Sequence, residues 1–267
     1  MCPWFNSKRY HFGRLLNGSL SLFMNEDSNI LTIKPIAYAR NGFVQKFGIP
    51  RQSRENSLLL TRIVFEPEYR VREALRGIEG YSHLWLIWGF SDNRPTENWS
   101  PTVRPPRLGG NTREGVFATR SPYRPNPLGL SSVRLLRVEE THEGLTLLVS
   151  GADLLNGTPV YDIKPYLSYT DAHPDAQNGF AEATKDYRLP VEWSPEAEES
   201  LKSARSGRPE ERTDNDLKAA LEEILSQNPI PSYQNDPERL YGLSYEDLEV
   251  HFLVAQNKVL VQKITHN

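Results

Sequence analysis

Hydrophobic and polar positions alternate in short stretches over the first two thirds of the chain. ILTIKPIAYA (30–39) and LLLTRIVF (58–65) predict strands, the first with an edge or bend at Pro35. YSHLWLIWGF (81–90) is the most apolar run, and its aromatic and β-branched content over ten residues predicts a buried strand rather than a helix. LSSVRLLRVE (130–139) and LTLLVS (145–150) predict a hairpin around His142, Glu143 and Gly144, and Pro159 to Ile163 a further strand. Gly115 to Thr119 reads as a short strand, and residues 67–75 as one or two helical turns closed by Gly77 and Gly80. Strands at this spacing, with almost no helix before residue 168, predict a mainly β fold: a small β-barrel or sandwich, not βαβ units.

The pattern changes after residue 168. Residues 169–190 are polar, contain Pro174, Gly179 and Pro190, and read as a linker. Ser194 followed by Pro195 is an N-cap with proline in the first helical position, opening a helix over 195–203. DLKAALEEILS (216–226) places Leu217, Ala220, Leu221, Ile224 and Leu225 on one helical face. Leu248 to Val254 and Lys258 to Ile264 form a hairpin around Gln256–Asn257. The expected organisation is an extension (1–28), a β-barrel domain (29–168), a linker (169–190) and a small α+β C-terminal domain (191–267).

GVFATRSPYRPNPLGLS (115–131) interrupts the strands. Pro122, Pro125 and Pro127 lack N–H groups and fix φ, and each pushes the residue before it towards extended backbone. The result is a stiff irregular loop holding Arg120, Arg124 and Asn126 apart. It is either a binding loop or a tight corner between strands. Asp153 and Asp162 flank the turn-rich stretch that follows residue 150, where a carboxylate either serves a ligand or closes an Asx turn.

Charge narrows the choice. The net charge is −3, yet residues 94–137 hold eight arginines and no lysine against Glu97 and Glu114. Planar bidentate donors suit phosphate and carboxylate ligands, so this stretch reads as a local anion or nucleic-acid face, or as a solvated surface. Cys2 is the single cysteine, which removes disulfides, thiolate zinc sites and a cysteine nucleophile, and fits a reducing compartment. No run of 18 apolar residues and no apolar stretch after Lys8, Arg9 and Arg14 suggests a membrane span or signal peptide. GxGxxG, GxxxxGK[ST], HExxH and GxSxG are absent, so a Rossmann site, a P-loop, a zinc protease and a serine hydrolase are not expected, and no metal is expected. His83, within the apolar run, is a core histidine or a functional one. The residues alone thus indicate a β-rich cytosolic protein that is either a metal-free enzyme or a binding module for RNA or nucleotides.

GIPRQS (48–53), SHLWLIWGF (82–90), PTVRPPRLGGN (101–111), the proline loop (115–131) and DLLNGTPVYDIKPY (153–166), in this order and spacing, closely resemble the TrmO family of TsaA-like or YaeB-like proteins. The stretch from Asn228 to Val254 resembles its C-terminal part. The resemblance implies a cytoplasmic, homodimeric S-adenosylmethionine-dependent tRNA methyltransferase with a non-Rossmann β-barrel and the cofactor near the subunit interface. Its substrate would be N6 of threonylcarbamoyl-adenosine at tRNA position 37. Cofactor contacts implied on this chain are Pro50, Arg51, Gln52, Ser91, Asp92, Arg120, Leu130, Ser150, Gly151, Ala152 and Asp153. Asp153, Asp162 and Arg120 are the candidate catalytic residues, with Tyr161 and Lys164 near them in sequence. Arg104, Arg107, Arg113 and Arg124 are candidate tRNA contacts, and Trp99 or Tyr123 could stack on an unpaired base. The alternatives are a non-enzymatic RNA- or nucleotide-binding barrel and a methyltransferase acting on a small molecule.

Overall fold

The computed structural model describes residues 31–266 except 51, 54–56, 92–98, 109–110, 186, 206–213 and 231–235. The expected extension over 1–28 lies outside the described residues. Residues 34–267 form one compact unit.

Six strands make the first lobe: β1 (Ala37–Arg40), β2 (Leu60–Phe65), β3 (His83–Gly89), β6 (Leu128–Thr141), β7 (Gly144–Ser150) and β8 (Pro159–Pro165). They are hydrogen-bonded in the order β1-β2-β7-β6-β3-β8, and β8 pairs back onto β1, closing the ring. β4 (Thr102–Val103) and β5 (Glu114–Gly115) form a small separate ribbon.

Side chains alternate across each strand, so one face of every strand fills the interior. Ala37 and Ala39, Ile63 and Phe65, Leu84, Leu86 and Trp88, Val133 and Leu135, Leu145, Leu147 and Val149, and Val160 meet there. Two alanines on β1 leave room for the larger residues opposite, as an interior packed to crystal density requires. Truncating Leu86 or Leu147 to alanine would cost about 2–5 kcal/mol.

The apolar run at 81–90 is buried on one face only. Leu84, Leu86 and Trp88 point inward, whereas His83, Trp85 and Ile87 are half-buried on the outer side. Trp85 is covered by Tyr166, with ring centroids 5.4 Å apart, and its Nε1–H donates to Asp171 at 2.8 Å. The residues after β8 therefore cap the outer face of β3 through the single turn α1 (Ser168–Asp171).

Several boundaries differ from the expected ones for local reasons. The first regular strand starts at Ala37 rather than Ile30, because Pro35 lacks a ladder N–H. The second starts at Leu60 rather than Leu58, because the Leu58 N–H is taken by Glu223 and the Leu59 N–H by Ser57 Oγ. The strand expected over 115–119 is a strand pair at Glu114–Gly115 followed by a 3-10 turn, Val116–Ala118. β6 begins at Leu128, so Leu130 and Ser131 belong to a strand and not to the proline loop.

The second lobe is a four-stranded sheet ordered β10 (Tyr241–Tyr245), β11 (Leu248–Ala255), β12 (Lys258–His266), β9 (Val191–Trp193), packed on α2 (Pro195–Arg205) and α3 (Asp214–Ser226). Ser194 Oγ accepts the Ala197 N–H at 3.0 Å, the cap expected there. Gln256 and Asn257 both have positive φ, as a two-residue hairpin turn with the strand twist requires. Leu217, Ala220, Leu221, Ile224 and Leu225 are all buried, as their spacing predicts.

The two lobes share a core. Phe43 and Leu59, from the 41–59 segment between β1 and β2, are buried among Leu221, Ile224, Leu243 and Tyr245 of the second lobe.

Candidate functional site

β7 ends at Ser150, and Gly151, with φ +80°, turns the chain sharply. Gly151 N–H donates to Leu59 C=O at 3.2 Å, and Ser150 and Ala152 are buried. This turn delivers Asp153 to a cavity of about 240 Å³ at one end of the first lobe. Trp88, Phe90, Ile49 and Leu155 supply its apolar wall, while Lys46, Ser91 and Thr158 add polar groups. Pro122 and Tyr123 bring the proline loop to its rim.

Asp153 is held by a chain of donors. Trp88 Nε1–H donates to Ser131 Oγ at 2.9 Å, and Ser131 Oγ–H donates to Asp153 Oδ1 at 2.5 Å. The backbone N–H of Ser53 also reaches the carboxylate, and the Arg120 guanidinium lies close enough to favour its charge. Burial outweighs these effects and holds the carboxyl above the ordinary aspartate value, while Ser131, Ser53 and Arg120 pull it down. A carboxylate poised in this way, beside aromatic walls, can accept a proton.

The indole that starts this chain depends on a glycine. Trp88 pairs with Gly129 across β3 and β6, and a Cβ at Gly129 would lie 2.2 Å from Trp88 Cε2. Gly129→Ala is therefore expected to evict Trp88 from the wall, break its bond to Ser131 and cost about 1–3 kcal/mol by overpacking. Chemical denaturation with tryptophan fluorescence checks this; unchanged stability would show that the indole can move without loss.

The proline loop, residues 116–127, ties itself together. Thr119 Oγ1 donates to Val116 C=O and accepts the Ser121 N–H; Ser121 Oγ accepts the Tyr123 N–H. Pro127 C=O accepts the Phe90 N–H at 3.0 Å, coupling the loop to the end of β3. Arg124 is half-buried and braces the loop by donating to Thr119 C=O at 3.3 Å. Arg120 is exposed and donates from Nη1 to Gln52 Oε1 at 3.0 Å, which joins the loop to the GIPRQS turn.

Of the residues singled out in the sequence, Arg120 lies beside Asp153 and donates to Gln52, Pro50 is buried, and the Ser150–Ala152 turn leads into Asp153, while Ser91, Asp153 and Tyr123 line the cavity. Leu130 and Asp162 do not. Leu130 is exposed on the outer face of β6, opposite Ile87, and Ile87 pairs with Asp162 on β8. Asp162 lies 3.1 Å from Lys164 Nζ and accepts the Ile163 N–H. His83 is at the other end of β3, its Nδ1 2.9 Å from Ser82 Oγ. Arg51, Asp92 and the side chain of Arg107 lie outside the described residues.

Ser131 and Trp88 escaped the sequence reading. The signal was present: counting in twos from Val133 and Leu135 places Ser131 on the apolar interior face, where a hydroxyl needs a partner. Among the described residues no three His, Cys, Asp or Glu side chains gather as a metal site requires.

Arg104 and Arg113 are exposed around the β4–β5 ribbon, and Arg113 Nη1 donates to Thr102 Oγ1 at 3.0 Å. Close by, the exposed rings of Trp99 and Phe117 lie 5.9 Å apart at 37°.

Comparison with known proteins identifies this arrangement. The model for the tRNA-methyltransferase O N-terminal domain matches residues 38–172, and that for the TrmO C-terminal domain matches residues 186–267. A tRNA (adenine(37)-N6)-methyltransferase of Eikenella corrodens is 45% identical over 184 residues, 69% of this chain and 97% of the relative. A putative S-adenosylmethionine-dependent methyltransferase of Pseudomonas aeruginosa is 41% identical over 225 residues, 83% of this chain and 91% of the relative. The crystal structure of TrmO from Pseudomonas aeruginosa superposes with a TM-score of 0.70 at 34% identity, covering 88% of this chain and 98% of that one. This chain belongs to the TrmO family.

Proposed function

We propose that this chain is an S-adenosylmethionine-dependent tRNA methyltransferase that methylates N6 of threonylcarbamoyl-adenosine at position 37. The observation that carries the reading is Asp153, a carboxylate raised by burial and gripped by Ser131, in a cavity walled by Trp88 and Phe90. Aromatic faces suit a sulfonium cation and an adenine ring. Arg120 and Lys46 suit the carboxylate of an amino-acid moiety. The donor set thus fits S-adenosylmethionine, which supplies an electrophilic methyl group when bound. Pro50, Gln52, Ser91, Arg120 and the Ser150–Asp153 turn are the residues of this chain that would hold it.

Methyl transfer is an in-line displacement, so the protein's task is alignment and removal of one proton. The N6–H of a threonylcarbamoyl-adenosine is acyl-like and more acidic than that of adenosine. Asp153 Oδ accepts this proton, and Ser131 and Ser53 hold the carboxylate in place as it does so. Arg120 fixes the loop against the GIPRQS turn and balances the charge beside Asp153. Asp162, bonded to Lys164 on the outer face, is not placed to share this role in the same cavity.

A homodimer is part of the same reading. Leu128, Leu130 and Leu136 are exposed apolar residues on the outer face of β6, and a second copy would cover them. A cytoplasmic location follows from tRNA as the substrate.

Arg104 and Arg113 would meet tRNA phosphates. Replacing each by alanine is expected to weaken tRNA binding and to lower the slope of log affinity against log salt by about 1 per residue. Filter binding across a salt series checks this; an unchanged slope removes the ribbon from the RNA face. Titration calorimetry with S-adenosylmethionine tests the reading as a whole. Saturable binding is expected, and no binding favours an RNA-binding barrel without enzymatic activity.

A further inference from the structure

We infer that Asn41 is a positioning residue for Asp153: its side-chain amide holds the backbone carbonyl of the next residue, Leu154, and so fixes where the carboxylate stands. This rests on the reading of Asp153 as the base.

Asp153 lies in the turn that leaves β7 at Ser150 and enters β8 at Pro159. Backbone bonds tie both ends of this turn. At its start, Gly151 N–H donates to Leu59 C=O at 3.2 Å. At its end, Asn156 N–H donates to Phe43 C=O at 2.9 Å, Gly157 N–H to Ala39 C=O at 2.8 Å, and Ala39 N–H to Thr158 C=O at 2.9 Å. Asn41, the residue after β1, reaches between the two ends. Its Nδ2 donates to Leu154 C=O at 2.9 Å and to Thr61 Oγ1 at 3.2 Å, while its Oδ1 accepts the Phe43 N–H at 3.0 Å. Both amide hydrogens and the amide oxygen are engaged, so the group cannot rotate without giving up all three bonds. The Asn41 backbone N–H also donates to Asn156 Oδ1 at 3.2 Å.

Thr61 and Leu154 are buried. A buried carbonyl that loses its donor shifts to regain one, and the peptide that would shift here adjoins Asp153. Ser131 grips the carboxylate itself from β6. Asn41 grips the backbone that carries it. A base held at its head alone loses its aim, and a displacement of about 1 Å costs on the order of 10²-fold in rate.

The test pairs two substitutions around one side chain. Asn41→Asp keeps the volume and the acceptor for Phe43 N–H, and offers Thr61 a new acceptor, so the bond it loses is the one to Leu154. Thr61→Val loses only the bond to Thr61. The backbone bonds at both ends of the turn depend on neither side chain, so both variants should fold. Single-turnover transfer is measured on the full chain with saturating S-adenosylmethionine and tRNA carrying threonylcarbamoyl-adenosine, on the high-pH plateau where a changed ionisation of Asp153 has no effect. Tm and the calorimetric Kd for S-adenosylmethionine are measured alongside. Asn41→Asp is expected to slow the saturated rate about 10–100-fold and Thr61→Val to leave it within about twofold, although both lower Tm. Asn41→Ala, which introduces no charge, should follow Asn41→Asp.

Equal slowing by Asn41→Asp and Thr61→Val, in step with Tm, would reduce Asn41 to a stabilising contact and overturn the proposal. A loss that vanishes at saturation would do the same, since Asn41 would then serve binding only. Asp153→Asn separates the two levels. If it is slow and Asn41→Asp is not, the positioning role alone fails. If Asp153→Asn keeps the parent rate, Asp153 is no base, and Asn41 has none to position.

Discussion

Asp153→Asn loses turnover by about 10²–10⁴-fold, the range a positioned general base contributes. The substitution keeps the volume and one acceptor for Ser131, so the fold survives. The pH profile carries a sharper signature. Burial raises the Asp153 carboxyl above its ordinary value. The active form is deprotonated, so the wild-type rate falls as pH drops through that raised pKa. In Asp153→Asn the residual rate has no such limb. Among the described residues, Arg120 on the proline loop and Lys46 on the 41–59 segment are cationic groups near Asp153. Single-turnover rates across pH, with circular dichroism as the control for folding, check the result. An unchanged rate would leave Asp153 as a turn residue only.

Arg120→Ala lowers kcat/KM by about 10–100-fold, corresponding to one charge-assisted contact of about 1.5–3 kcal/mol. Arg120 is exposed and contributes nothing to the core, so thermal stability is expected to stay within about 0.5 kcal/mol of the parent. The side chain bridges to Gln52 and holds positive charge beside Asp153. Its removal takes away an influence that lowers the Asp153 pKa, so the acid limb of the profile moves to higher pH. Steady-state kinetics at several pH values test both parts. A folded, fully active variant would remove Arg120 from the site.

Much of this architecture is legible in the sequence because the interior obeys a period of two. Leu84, Leu86 and Trp88 declare one face of β3, and Leu145, Leu147 and Val149 one face of β7. The turn chemistry is equally local: Ser194–Pro195 opens α2, and Gln256–Asn257 closes a hairpin. The proline loop is legible for the same reason, since φ fixed at three prolines needs no tertiary information.

What stayed hidden depends on contacts far apart in the chain. Nothing near Ser131 says that its hydroxyl lies between Trp88 and Asp153, because those partners come from β3 and from the turn after β7. Leu130 and Ser131 are neighbours in sequence but lie on opposite faces of one strand, so a site assigned to one cannot be transferred to the other. Arg124 carries the same charge as Arg120, and one of its five N–H groups donates to Thr119 C=O of its own loop, a partner that charge alone does not announce. The 41–59 segment reads as a loop, and its role as the shared core of two lobes appears only when Phe43 and Leu59 are seen beside Leu243 and Ile224.

The cavity around Asp153 is expected to support methyl transfer to N6 of a modified adenosine. The most direct test incubates the purified protein with methyl-labelled S-adenosylmethionine and tRNA that carries threonylcarbamoyl-adenosine at position 37, followed by nucleoside mass spectrometry. Label is expected on N6 of that nucleoside, with none on tRNA with unmodified adenosine at the position, and loss of the product with Asp153→Asn. Label on another nucleoside or on a small molecule, or binding of tRNA without any transfer, would contradict it.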